Sequence, residues 1–118
     1  MRDMTDIERM TENIVAFRRE RNWESHHTPR DLAMALSIEA AELLEHFLWR
    51  KGDDLEKYIE DHKEGIRDEL GDIMFCLLLL SRDLGVDVVR AFDAKLEKTK
   101  KKYPIEKVQG RIVKHTEL

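Results

Sequence analysis

Cysteine occurs once in this chain, at Cys76. No intrachain disulfide can form, which excludes a disulfide-stapled secreted scaffold and suits a reducing cytoplasm. Proline occurs twice and glycine five times, and no linker, internal repeat or low-complexity segment stands out. Long apolar runs are absent too. The longest, "IMFCLLLL" from Ile73 to Leu80, falls well short of the roughly 20 residues that a membrane span needs. The opening stretch, "MRDMTDIERM", lacks a continuous apolar core, so no secretion signal is expected. Positive charge is not in excess either: 21 Lys and Arg stand against 25 Asp and Glu, a net charge of -4. A protein that neutralises a nucleic-acid backbone is normally basic. Neither a membrane nor a nucleic-acid polymer is an expected partner.

What is present is helical. Hydrophobic residues make up 42% and charged residues 39% of the 118, which fits one globular domain, residues 1–118, with a modest core. Ile7, Met10, Ile14, Phe17 and Arg21 follow a 3, 4, 3, 4 spacing and predict a first helix from Asp3 to Asn22. "NWESHHTPRD" breaks the pattern and reads as a loop. Thr28, Pro29 and Asp31 then supply an N-cap, a proline at N1 and an acid at N3. The second helix is expected to run to Trp49, with Gly52 as its C-cap and Asp53 or Asp54 as the next N-cap. Periodicity returns from Leu55 to Leu84, kinked or interrupted near Gly65. Gly85 and Asp87 mark the next stop and start. A last helix runs from Val88 to Lys102 and ends at Tyr103-Pro104. Residues 105–118 read as an extended tail. The expected fold is all-α, of four-helix-bundle type. Because Ile73–Leu80 is apolar on every side, a second copy of the chain is expected to cover part of it, giving a homodimer or homotetramer.

One acid breaks the amphipathic logic. At about 100° per residue, Leu32, Leu36, Leu43 and Phe47 cluster on one face of the second helix, and Glu39 falls among them with Glu42 beside it. The next helix repeats the arrangement: Glu69 and Asp72 flank a stripe of Ile66, Leu70, Ile73, Leu77, Leu80 and Leu84. Residues three apart on a helix are neighbours. Antiparallel packing of the two helices brings four carboxylates together. No Lys or Arg lies on these stripes, so either the carboxylate pKa values rise or a cation sits between them. Oxygen donors without His or Cys at ligand spacing suit Mg²⁺ or Mn²⁺ and not Zn²⁺. Ferritin-like sites use Glu-x-x-His, which occurs here only as Glu24 to His27, in the loop.

Written out, the acids read Glu39-x-x-Glu42, a gap of 26 residues, then Glu69-x-x-Asp72. This resembles the metal signature of the MazG-like nucleotide pyrophosphohydrolases. "ERNWESHHTPRDLAMAL", Trp49, "KYP" and the terminal "KHTEL" are similar to the dCTP pyrophosphatase branch. The resemblance implies an active site between helices two and three, completed in an oligomer. It implies Mg²⁺-dependent hydrolysis of a nucleoside triphosphate between its α and β phosphates. Glu39, Glu42, Glu69 and Asp72 would hold the metal, and Glu39 or Glu42 would act as the base. Trp23 and Trp49 would stack the base, with His27 beside Trp23 as a further substrate contact. For the phosphates, the candidates are Lys95 and Lys102, which share a helix face, and then Arg30 and Lys51. Tyr103 would cap the same pocket. The chain departs from the branch at Ile14, Cys76 and Thr99, where members carry His, Tyr and Asn, so base and sugar preference does not carry over. Two alternatives remain beside this reading: a phosphoribosyl-ATP pyrophosphohydrolase, and a non-catalytic helical interaction module.

Overall fold

A computed structural model describes residues 2–118. Among them the regular elements are all helical. Helix α1, Asp6–Glu20, starts three residues later than the periodicity suggests because Thr5 caps it. The Thr5 hydroxyl accepts from the Glu8 amide at 3.1 Å, and the Glu8 carboxylate accepts from the Thr5 amide at 3.2 Å. Helix α2, Pro29–Glu45, begins at the expected Thr28 cap, whose hydroxyl accepts from the Asp31 amide at 3.2 Å.

Helix α2 ends four residues before Trp49. The chain leaves it through a turn in which Trp49 itself takes the left-handed conformation, at φ 67°. Arg50 closes this end: its Nη1 donates to the carbonyls of Glu45, His46 and Leu48 at 3.1, 3.2 and 3.2 Å. The expected C-cap glycine, Gly52, instead opens the next helix at φ 53°. The long helix expected from Leu55 to Leu84 is two: α3, Gly52–Asp61, and α4, Lys63–Asp83. The break falls at His62 (φ -116°, ψ 23°), and Gly65 lies within α4. Gly65 has a packing role instead. A Cβ placed there would stand 3.4 Å from Cε1 of His46.

Gly85, at φ 68°, ends this part of the chain. Asp87 caps α5, Val88–Lys102, accepting from the amides of Val89 and Arg90 at 3.0 and 3.1 Å. The tail is not wholly extended. It forms a single helical turn, α6, Ile105–Val108, and a 3-10 turn at His115–Glu117.

The chain falls into two compact units, Met1–Gly85 and Val86–Leu118. In the first, α4 is the central helix. It packs most extensively on α2 and also touches α1 and α3. Leu32 of α2 and Cys76, Leu78 and Leu79 of α4 are buried, and Phe17 of α1 meets Phe75 edge-on with ring centroids 5.9 Å apart. The apolar stripe read from the sequence is only partly the buried one: Leu70 and Leu84 remain 53% and 56% exposed. Three neighbouring helices cover the sides of α4 that carry Cys76, Leu78 and Leu79, and the Leu70, Met74 and Leu84 side faces outward. In the second unit, the Tyr103 ring meets His115 edge-on at 6.0 Å. No helix among the described residues is long and apolar enough to cross a membrane.

Candidate active site

The packing of α2 on α4 brings acids from both helices together. Carboxylate oxygens of Glu39, Glu69 and Asp72 lie within 4.8 Å of one another. Glu39 and Glu69 are half-buried and Asp72 is exposed. Glu42, one turn along α2, adds its charge to the group. The close Glu69 carboxyl, burial, and Glu42 and Asp72 nearby push the Glu39 carboxyl up to about 7. Burial and the charges of Glu39 and Asp72 push the Cys76 thiol up as well, which makes it an inert packing residue and not a nucleophile.

The donor set passes a simple test for a cation. Oε2 of Glu39 and Oε2 of Glu69 are both buried and have no hydrogen-bond partner. A buried carboxylate oxygen left unpaired is costly. All the ligands are hard oxygen donors. Glu39, Glu69 and Asp72 therefore fit a hard divalent ion, with Glu42 alongside.

An open cleft of about 420 Å³ adjoins this group, lined by Glu42, Glu45, His46, Arg50, Tyr58 and Glu69. His46 lies 3.0 Å through Nδ1 from the Tyr58 hydroxyl, and the guanidinium of Arg50 sits 3.6 Å above the Tyr58 ring. Spacing alone singles out neither Arg50 nor Tyr58. The available signal was a cation placed where a helix ends, next to Trp49.

The other candidates divide by position. Trp23 stands at the turn Glu24–His26, edge-on to Phe17 at 5.7 Å and 5.8 Å from the His27 ring. Nδ1 of His27 is buried without a partner. Trp49 stands apart from this aromatic group: it is 96% exposed. Arg30 lies exposed in the first turn of α2, and Lys51 is the N-cap residue of α3. Lys95 and Lys102 belong to α5 and Tyr103 ends it, all in the second unit.

Comparison with known proteins identifies the family. The model of the MazG-like family matches residues 34–118. The chain is 32% identical to dCTP pyrophosphatase 1 of Rattus norvegicus over 117 residues, covering 98% of this chain and 67% of the rat protein. The human protein of the same name is 30% identical over the same shares. The crystal structure of a pyrophosphatase from Archaeoglobus fulgidus superposes with a TM-score of 0.81 at 34% identity, covering 88% of this chain and 97% of that one. With the family model spanning both acid pairs and relatives matching nearly end to end, the chain belongs to the MazG-like family.

Proposed function

We propose that this MazG-like nucleotide pyrophosphohydrolase is Mg²⁺-dependent, with Mn²⁺ as a working substitute. It would cleave nucleoside triphosphates between the α and β phosphates, releasing the monophosphate and pyrophosphate. The observation that carries the reading is the convergence of Glu39, Glu69 and Asp72 with two buried carboxylate oxygens unpaired. The names of the relatives point to dCTP-like or modified nucleotides as the substrate class.

A metal held by these carboxylates would supply charge to neutralise phosphate oxygens and would make a water molecule acidic enough to attack. The protein supplies the rest. Glu39, Glu69 and Asp72 would hold the ion from two helices at once, through the packing of α2 on α4. Glu42, beside that set and on the wall of the cleft, takes the proton from the attacking water. The new bond forms between that water oxygen and one phosphorus of the α–β anhydride, the bond from that phosphorus to the bridging oxygen breaks, and monophosphate and pyrophosphate separate. Trp23, with His27 beside it, and Trp49 are assigned to the base. In the first unit Arg30 and Lys51 are the proposed phosphate contacts; in the second unit, taken by itself, Lys95, Lys102 and Tyr103 are.

The outward apolar side of α4 supports self-association. Leu70, Met74 and Leu84 on α4 and Met34 and Ile38 on α2 are between 38% and 56% exposed, more than an isolated helical unit gains from leaving wet. The reading is therefore a cytoplasmic, homo-oligomeric house-cleaning enzyme. The test is pyrophosphate release from a panel of canonical and modified triphosphates, with Mg²⁺ and with EDTA. Mg²⁺-dependent release of pyrophosphate together with monophosphate is expected. Silence across the panel from folded protein would refute the reading.

A further inference from the structure

Arg50 is tied down more firmly than a helix cap requires. Its Nη1 alone reaches all three carbonyls at the end of α2. Its Nε and Nη2 have no partner among the described residues, yet the residue is half-buried and lines the cleft that Glu42 and Glu69 share with the metal group. The plane of the guanidinium is set by Tyr58, 3.6 Å beneath it. The Tyr58 side chain is itself held at two points. His62 stacks on its ring at 3.8 Å and 13°, which must be the face opposite Arg50, since one face cannot take both. The Tyr58 hydroxyl is joined to Nδ1 of His46 at 3.0 Å. The His62 ring is fixed in turn by Nδ1, which donates to the Tyr58 carbonyl at 2.9 Å.

A planar fork with two donors unspent and its rotamer held in advance is suited to a phosphate group. The surrounding charge decides which phosphate species. Glu42, Glu45 and Glu69 share the cleft, so a bare anion is repelled, whereas one arriving with a divalent cation bridges the acids at one end and Arg50 at the other. We propose that Arg50 anchors the pyrophosphate side of the substrate, and afterwards the leaving pyrophosphate as its metal complex, with Tyr58 as the positioning residue that fixes the guanidinium. The assignment rests on the function proposed above.

Calorimetric titration of the full-length protein with magnesium pyrophosphate, and separately with Mg²⁺ alone and with a nucleoside monophosphate, tests it. Arg50→Gln keeps the aliphatic stem and a polar end and removes the charged fork. It is expected to weaken pyrophosphate binding by about tenfold or more, leaving Mg²⁺ and monophosphate affinities unchanged. Tyr58→Phe retains the ring and frees the hydroxyl link, and is expected to weaken pyrophosphate by about threefold, with the loss in turnover appearing in KM and not in kcat. Should Arg50→Gln unfold the protein, Arg50→Lys takes its place: it keeps the charge and loses the fork, and must still lose pyrophosphate affinity. If wild type hydrolyses triphosphates and the variant binds magnesium pyrophosphate as tightly as wild type, Arg50 is a helix cap and nothing more. If wild type neither hydrolyses triphosphates nor binds magnesium pyrophosphate, the function itself fails, and the Arg50 assignment with it.

Discussion

Arg18 and Asp83 join the end of α1 to the end of α4 through a two-pronged ion pair. Nη1 of Arg18 donates to Oδ2 of Asp83 at 2.7 Å and Nη2 donates to Oδ1 at 2.9 Å. Arg18 is 4% exposed and Asp83 17%. The hydrogen bond from Arg18 is the main reason the Asp83 carboxyl sits below its ordinary range. A carboxyl lowered in the folded state contributes stability that is complete above its unfolded value and is lost as pH falls through the folded one. Asp83→Asn leaves a buried guanidinium uncompensated and is expected to cost on the order of 3 kcal/mol. Urea denaturation at neutral pH measures that cost. Thermal scans below about pH 4 should show wild type losing its advantage over the variant.

Glu39 titrates in the opposite sense. Its carboxyl rises from an ordinary 4.5 to about 7, so between those values the folded, metal-free protein keeps a proton that the unfolded chain has released. Stability in EDTA is therefore expected to fall as pH rises through that window. A divalent cation should reverse the trend at pH 8 by binding only the folded state. Glu39→Gln is expected to flatten the slope in EDTA, to remove the stabilisation by Mg²⁺, and to cut turnover by about a hundredfold or more. A steep slope persisting in Glu39→Gln would place the titration elsewhere.

Trp49 occupies a backbone conformation that bulky residues avoid, at φ 67°, at a cost of about 1–3 kcal/mol, and gains almost nothing by burial. Trp49→Gly removes that strain. The variant is expected to melt no lower than wild type, while the KM for nucleotide rises by about tenfold as base stacking is lost. Steady-state kinetics beside a melting curve separate the two effects, and an unchanged KM would dismiss Trp49 from the base site.

Gly65 sets the approach of His46 to α4. Alanine at this position adds a Cβ at ordinary contact distance from His46 and gains helix propensity of up to about 1 kcal/mol, so Gly65→Ala should fold at least as well as wild type. Gly65→Leu has no such room. It is expected to push His46 away from Tyr58 and to raise KM together with the melting penalty, which kinetics and calorimetry on the pair of variants would measure.

Local chemistry was the readable part of this fold. The caps at Thr28 and Asp87 were legible because a hydroxyl or carboxylate satisfies amides only two or three residues away. The span of α5 followed from Asp87 and from Tyr103-Pro104. The acid pairs were legible because each lies within one turn, and packing of α2 on α4 does bring three of the four within 4.8 Å. Features that depend on distant partners were not. The 3, 4 spacing extended the α1 stripe to Arg21, yet Arg18 is the buried arginine, because its partner is 65 residues away. Arg21 lies outside, with its guanidinium over Phe17 at 3.7 Å. The end of α2 and the break at His62 do not fall at the glycines that the sequence offers as breakers. Trp49 holds the left-handed turn, and Gly65 accommodates a histidine ring.

The two tryptophans differ in surroundings as much as in position. Trp23 is 41% exposed and leans on Phe17, whereas Trp49 is 96% exposed. The protein consequently carries its own optical reporter. Red-shifted emission belongs to Trp49, and whatever covers that ring moves the spectrum to the blue without any attached dye. A shift that follows protein dilution reports another copy of the chain, and one that follows added nucleotide at fixed protein reports the base.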